Sequence, residues 1–103
     1  MVSVAIERCG SYSPEDVGPV VEKVLGVALA DRVREVAGRR VLLKPNLLAA
    51  REPSRGVTTH PGIVGAAIDC LRGYGAEVIV GDSPAGALRG VRRVWEKTGM
   101  LEL

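Results

Sequence analysis

The stretch PGIVGAAIDCLRGYGAEVIVGD, residues 61–82, decides the fold. Its first part, from about Pro61 to Tyr74, carries apolar residues at helical spacing, and Gly75 stands where many helices end in a left-handed residue. The run from Glu77 to Gly81 is rich in β-branched residues and is followed by turn-forming residues, which predicts a strand. The stretch therefore predicts a helix that leads directly into a strand.

Two further strand-like runs precede this stretch, Val2 to Glu7 and Val41 to Lys44. A helix is expected after the first run because Ser13 can cap it, Pro14 suits its first turn and two acidic residues follow. Its expected apolar face comprises Val17, Val20, Val21, Val24 and Leu25. The pattern leaves open whether this helix continues or breaks near Gly26.

A third helix is expected to begin near Leu88. Its expected inward residues are Leu88, Val91, Val94 and Trp95, and its expected solvent-facing residues are Arg89, Arg92, Arg93 and Lys97. The order β-α-β-α-β-α predicts an α/β fold: a three-stranded, mainly parallel sheet flanked by helices, with apolar strands covered on both faces. Residues 1–103 are expected to form a single α/β domain, either whole or the first part of a larger α/β domain.

The composition argues against several classes of function. The 103 residues carry a formal net charge of +2 and few aromatics, so neither the basic surface nor the stacking platforms of a nucleic-acid-binding protein are expected. No apolar run reaches the length of a membrane helix and the N-terminus lacks a signal-peptide pattern, which predicts a cytoplasmic protein without membrane contact. Cys9 and Cys70 lack the spacing of a metal or cluster site, so no metal site and no cofactor are predicted in this chain.

Polar residues follow two of the predicted strands, at the point where each strand ends. The second strand runs into Lys44 and Asn46 and then into an unusually long connection, which is expected to form a flap hinged at Gly56. Because ligands of parallel sheets bind beyond the carboxyl ends of the strands, these residues are expected to share one rim. The candidate site comprises Lys44, Asn46, Thr58, Thr59, His60, Asp82 and Ser83.

The candidate residues divide by chemistry. Lys44 can stabilise negative charge, His60 can carry a proton near neutral pH, and Asp82 can orient either of them, so these three are the candidate catalytic residues. The candidate ligand-binding residues are Asn46, Thr58, Thr59 and Ser83. Each residue also has a structural alternative, because threonine, histidine, aspartate and serine are common caps of helices and turns. A helix N-terminus beside a lysine favours an anion, which predicts a small anionic molecule as ligand.

The segments VLLKPN (residues 41–46), TTHP (58–61) and VGDSP (80–84), with VWE downstream, resemble the N-terminal part of the domain-of-unknown-function family 362. The resemblance implies an α/β domain, often joined to a segment in which clustered cysteines bind an iron–sulfur cluster. That segment lies outside these 103 residues, so cluster binding is not expected of this chain. The resemblance implies a role in the motifs for Lys44, Asn46, Thr59, His60, Asp82 and Ser83.

Three functional hypotheses remain open at this level. The first is an α/β module, related to iron–sulfur and redox-associated proteins, that binds a small anionic ligand at the strand ends. The second is an enzyme completed at an oligomer or domain interface, with His60 as acid and base. The third is a structural or interaction module in which the motifs are caps and turns. Because a three-stranded sheet leaves two open edges, the expected partners also include a second copy of the chain or a missing C-terminal half.

Overall fold

A computed structural model describes residues 2–84 and 90–103. Its α-helices are α1 (Pro14–Leu29), α2 (Pro61–Gly73) and α3 (Val91–Lys97), and its strands are β1 (Arg40–Leu43) and β2 (Glu77–Val80). Short 3₁₀ helices lie at Ala30–Val36, Pro53–Arg55 and Met100–Glu102. The chain is therefore a mixed helix and strand structure in which β1, α2 and β2 follow the order of a βαβ unit.

The described sheet has two strands. β1 and β2 are parallel, with Arg40 opposite Glu77 and Leu43 opposite Val80. The strand predicted from Val2 to Glu7 was wrong: this segment is unpaired, and Val2, Val4 and Ile6 are 89%, 77% and 88% exposed. Alternating apolar residues indicate a segment that suits the surface of a sheet, but a strand forms only where a neighbouring edge offers its N–H and C=O groups. We call residues 2–7 the N-terminal arm.

The hydrophobic core lies where α2, α3 and the connection after β1 meet. Its buried members are Leu47, Val64, Val94 and Met100, and Leu43, Ala50, Ile68, Val80 and Trp95 pack against them. α1 packs on α2 and buries Val17 and Val21 as predicted, whereas Val20, Val24 and Leu25 of the same expected face are half-buried. The helical periodicity thus identified the residues of α1 that are buried or half-buried against α2.

The sheet has one covered face and one open face. Val41, Leu43, Val78 and Val80 are half-buried, whereas their neighbours Leu42 and Ile79 are 63% and 41% exposed. The expectation that both faces are covered was therefore wrong for the described residues, because α1 packs on α2 and leaves the opposite face of the sheet open. We call the side of the sheet that carries Leu42 and Ile79 the open face.

The ends of α1 and α2 lie close to their predicted positions, with one correction at the start of α1. α1 begins after Ser13 as predicted, but the Ser13 side chain does not cap it; Ser13 Oγ instead accepts a hydrogen bond from Ser11 Oγ at 3.0 Å. α1 continues through Gly26 and ends at Leu29, and the 3₁₀ helix at Ala30–Val36 follows it. The helix therefore does not break at Gly26. α2 ends at Gly73, and Gly75 has the expected left-handed conformation, with a φ of 88°.

α3 starts at Val91, and the predicted start near Leu88 lies outside the described residues, as does Arg89. Val94 is buried and Trp95 half-buried, but Val91 is exposed, so its expected inward position was wrong. Gly90 has a left-handed conformation, and the helix begins at the next residue, Val91. Val91 therefore lies in the first turn of α3, and its side chain is outside the core. Among the described residues, no helix combines the length and the apolarity needed to cross a membrane.

Candidate functional site

Lys44, Asn46 and Asp82 meet just beyond the carboxyl ends of β1 and β2. The Lys44 ammonium lies 3.2 Å from Asp82 Oδ1 and 3.4 Å from Asn46 Oδ1. The Lys44 side chain is 64% exposed, whereas the Asp82 side chain is 5% exposed. The two strands end side by side because Leu43 is opposite Val80, so the polar residues that follow them are brought together. We call these three residues the strand-end cluster.

Asp82 is the most highly bonded member of the strand-end cluster. Its Oδ2 accepts a hydrogen bond from the Leu47 amide, and it also accepts bonds from the Ser83 amide and the Lys44 ammonium. Burial acts to raise the pKa of Asp82, but these donors together outweigh burial and hold the pKa below its usual value. The Asp82 carboxylate therefore links the connection after β2 to the connection after β1.

The long connection after β1 is anchored at both ends of its first half. Leu47 is in the core, and Asn46 adopts a left-handed φ of 56° that turns the chain so that the Leu47 side chain points inward while its amide points at Asp82. Farther along, Glu52 accepts a hydrogen bond from Lys97 of α3 at 3.0 Å, and this bond and the charge of Lys97 lower the pKa of Glu52. The first half of the connection is thus packed on the core and bonded to α3, and its expected movement as a flap about Gly56 stays a prediction.

His60 lies at the N-terminus of α2, where its side chain is the helix cap. Its Nδ1 accepts a hydrogen bond from the Gly62 amide at 3.0 Å, so in the neutral ring the proton is on Nε2. The imidazole stacks on Tyr12, with the ring centroids 3.7 Å apart and the planes 9° from parallel. A methyl group at Gly62 would lie 2.9 Å from the Tyr12 carbonyl oxygen, so this glycine allows the chain before α1 to approach α2. Gly65 of the same helix lies close to Leu103, because a methyl group there would be 3.3 Å from Leu103 Cδ2.

The remaining candidates do not join one cluster. Ser83 is exposed and supplies its backbone amide, not its hydroxyl, to Asp82. Thr59 is exposed, and the Thr58 hydroxyl is buried without a hydrogen-bond partner among the described residues. The structure thus brings Lys44, Asn46 and Asp82 together, and it places His60 in the wall of a separate cavity.

The cavity beside His60 measures about 920 Å³ and lies between α1, α2 and the C-terminal 3₁₀ helix. We call it the interhelix cavity. Its lining includes Tyr12, Glu22, His60, Asp69, Cys70, Tyr74 and Glu102, and it includes none of Lys44, Asn46 and Asp82. Sequence reasoning missed this cavity because it is formed by residues of separate segments; the one signal was Tyr12, one of two tyrosines in a chain poor in aromatics.

Both cysteines of the chain are free thiols. Cys9 is exposed, and Cys70 is half-buried in the wall of the interhelix cavity. Burial raises the pKa of the Cys70 thiol, and the nearby charge of Glu22 acts in the same direction. Within residues 2–84 and 90–103, no three His, Cys, Asp or Glu side chains come close enough to hold a metal ion.

Comparison with known proteins places the strand-end cluster within a recognised sequence family. The family described as Domain of unknown function (DUF362) matches residues 41–103. A curated relative, a thylakoid-associated protein of Synechocystis sp., is 45% identical over 67 residues, which make up 64% of this chain and 20% of the relative. The aligned part therefore spans about a fifth of the relative's length. No solved structure matches this chain.

The family match begins within β1 and continues through both connections that form the strand-end cluster. It covers more than half of the chain, and it agrees with the resemblance carried by the segments at residues 41–46, 58–61 and 80–84. The chain belongs to the family described as Domain of unknown function (DUF362).

Proposed function

We propose that this chain is a binding module that holds a small anionic molecule at the strand-end cluster, with Lys44 as the residue that contacts the anion. The observation that supports this most directly is the contrast in exposure between Lys44 and Asp82, which are 64% and 5% exposed. A buried carboxylate holds the ammonium in place, while the ammonium itself stays open to solvent.

The charges in the cluster favour this arrangement. Asp82 shares its negative charge among the Leu47 amide, the Ser83 amide and Lys44, so Lys44 does not have to neutralise it alone. An ammonium has three donors, and Asp82 and Asn46 take two of them. The third donor is available to a phosphate or carboxylate oxygen in a charge-assisted hydrogen bond.

The test uses a matched pair of lysines. Lys23 is also 64% exposed and is paired with a carboxylate, Glu7, at 2.6 Å, but it lies on α1 away from the strand ends. Titration of inorganic phosphate and of acetate into the Lys44→Met and Lys23→Met proteins, followed by amide chemical shifts, compares the two positions. We expect Lys44→Met to weaken binding by about tenfold or more, as the loss of a charge-assisted contact implies, and Lys23→Met to leave it unchanged. Equal effects of the two substitutions would mean that the anions sense only net charge.

A second candidate function is self-association, supported by the exposed apolar residues of the arm and the open face. Val2, Val4 and Ile6 are exposed in a segment without secondary structure, and both outer edges of the described sheet are unpaired. We propose that the arm of one copy adds a strand to the sheet of a second copy, because this would satisfy backbone groups and bury apolar side chains in one step. Native mass spectrometry of the wild type and of Ile6→Asp tests this: dimers lost in the variant support it, and a monomeric wild type contradicts it.

Two broader expectations stay predictions. The cytoplasmic location and the relation to iron–sulfur and redox-associated proteins came from the sequence and from the family resemblance. The name of the Synechocystis relative describes that protein's association with thylakoids. An enzyme that uses His60 together with Lys44 and Asp82 would have to bring the interhelix cavity and the strand-end cluster to one substrate, which the described chain alone does not do.

A further inference from the structure

We propose that the interhelix cavity binds an organic cation, an amidinium, guanidinium or amine carried on a flat or apolar body. This site is separate from the anion site proposed at Lys44, and it has the opposite charge preference. Its volume of about 920 Å³ lies within the range of cavities that hold small molecules.

The walls of the cavity explain the flat or apolar body. Tyr12 and His60 form a parallel stack, and Tyr74 and the prolines Pro53 and Pro61 also line the space. The tyrosine rings can attract a cation over their faces, and the proline rings add apolar surface. The His60 Nδ1 is already bonded to the Gly62 amide, so the imidazole is held in place for such a contact.

The carboxylates of the cavity explain the positive charge. Glu22 of α1, Asp69 of α2 and Glu102 of the C-terminal 3₁₀ helix line it, and no lysine or arginine within residues 2–84 and 90–103 does, although the whole chain carries a net charge of +2. Within the described residues none of these carboxylates makes an ion pair. The described lining therefore carries three exposed carboxylates and no lysine or arginine that would balance their charge.

The spacing of the carboxylates distinguishes an organic cation from a metal ion. They come from different elements and do not converge closely enough, with His60 or Cys70, to coordinate one ion. A molecule several bonds long can meet more than one of them while its apolar part rests on the rings. Amidinium and guanidinium groups suit this best because their donors lie in a plane and pair with carboxylate oxygens.

The test compares benzamidine with benzoate, which have nearly the same shape and opposite charge. Each is titrated by calorimetry into the wild type, into a Glu22→Gln, Asp69→Asn variant, and into an Asp31→Asn, Glu35→Gln control. The control removes the same charge from exposed carboxylates of the 3₁₀ helix at Ala30–Val36, outside the cavity. We expect benzamidine to bind the wild type and the control alike, to bind the cavity variant at least about tenfold more weakly, and benzoate not to bind the cavity.

The two cysteines give a second, independent readout. Cys70 lines the cavity and Cys9 is exposed outside it, so benzamidine should slow alkylation of Cys70 while leaving Cys9 unaffected. The Lys44→Met variant should bind benzamidine normally, which separates this site from the anion site. Native mass spectrometry distinguishes two sources of the cation, a free molecule and a basic side chain of another copy. If the cation were a side chain of another copy, benzamidine would displace it and dissociate a dimer.

Three results would overturn the proposal. The first is that benzamidine does not bind the wild type. The second is that the cavity variant and the control variant lose the same amount of affinity for benzamidine. The third is that benzoate protects Cys70 from alkylation as well as benzamidine does. Any of these would show that the cavity does not select a cation.

Discussion

Asp82 shows how a single residue joins the two connections that leave the sheet. Its carboxylate receives the Leu47 amide, the Ser83 amide and the Lys44 ammonium, so removing its charge weakens three contacts at once. We expect Asp82→Asn to lower the free energy of unfolding at neutral pH, measured by urea denaturation. The exposed Asp31→Asn substitution is the control and should leave stability nearly unchanged.

The pH dependence of this effect follows from the direction of the pKa. Because the pKa of Asp82 is lowered in the folded state, the carboxylate contributes stability at pH values above its unfolded pKa, and this contribution disappears as the pH falls through the folded pKa. The difference between the wild type and Asp82→Asn should therefore be largest near neutral pH and shrink in strong acid. A difference that stayed constant from pH 7 to pH 2 would contradict the role assigned to the carboxylate.

At the scale of an element, the connection after β1 behaves as part of the core. Leu47 is 1% exposed and packs with Val64 and Val94, whereas its neighbour Leu48 is 55% exposed. We expect Leu47→Ala to reduce the free energy of unfolding by about 2–5 kcal/mol and Leu48→Ala to change it by less than about 0.5 kcal/mol. Equal, small effects would mean that the connection is free of the core after all.

α2 provides a second test at this scale, because two of its glycines have opposite surroundings. A methyl group at Gly62 would meet the Tyr12 carbonyl oxygen at 2.9 Å, and one at Gly73 would meet no atom within 4 Å. We therefore expect Gly62→Ala to destabilise the protein by about 1–3 kcal/mol, through displacement of the segment before α1. Gly73→Ala should be neutral or stabilising by up to about 1 kcal/mol, because alanine favours the helix. Thermal unfolding followed by circular dichroism measures both.

At the scale of the whole molecule, the N-terminal arm contributes little to the fold of one copy. Val2, Val4 and Ile6 are nearly fully exposed, whereas Tyr12, farther along, stacks on His60. We expect removal of residues 1–6 to change the unfolding free energy of dilute protein by less than about 0.5 kcal/mol, and removal of residues 1–12 to destabilise it clearly. If the shorter deletion unfolded the dilute protein, the arm would have to pair within its own chain.

Much of the architecture could be predicted from local patterns. The positions of β1, α2 and β2, the start of α1 after Ser13 and the left-handed Gly75 follow from apolar periodicity and from residues that begin or end helices, which act over a few residues. The pairing of Lys44 with Asp82 also follows, because parallel strands that end together bring their next residues together.

Other features depend on contacts that no local pattern contains. The pattern of Val2 to Glu7 is that of a strand, but whether a strand forms depends on a sheet edge elsewhere in the molecule. Likewise, the turn at Asn46 buries Leu47, and Tyr12 approaches Gly62 and stacks on His60 from a distant part of the chain. The sequence by itself thus determined the family, the βαβ order and the residues at the strand ends. Only the tertiary structure decided that His60 faces the interhelix cavity, because helix packing, unlike helix formation, is set by side chains far apart in the chain.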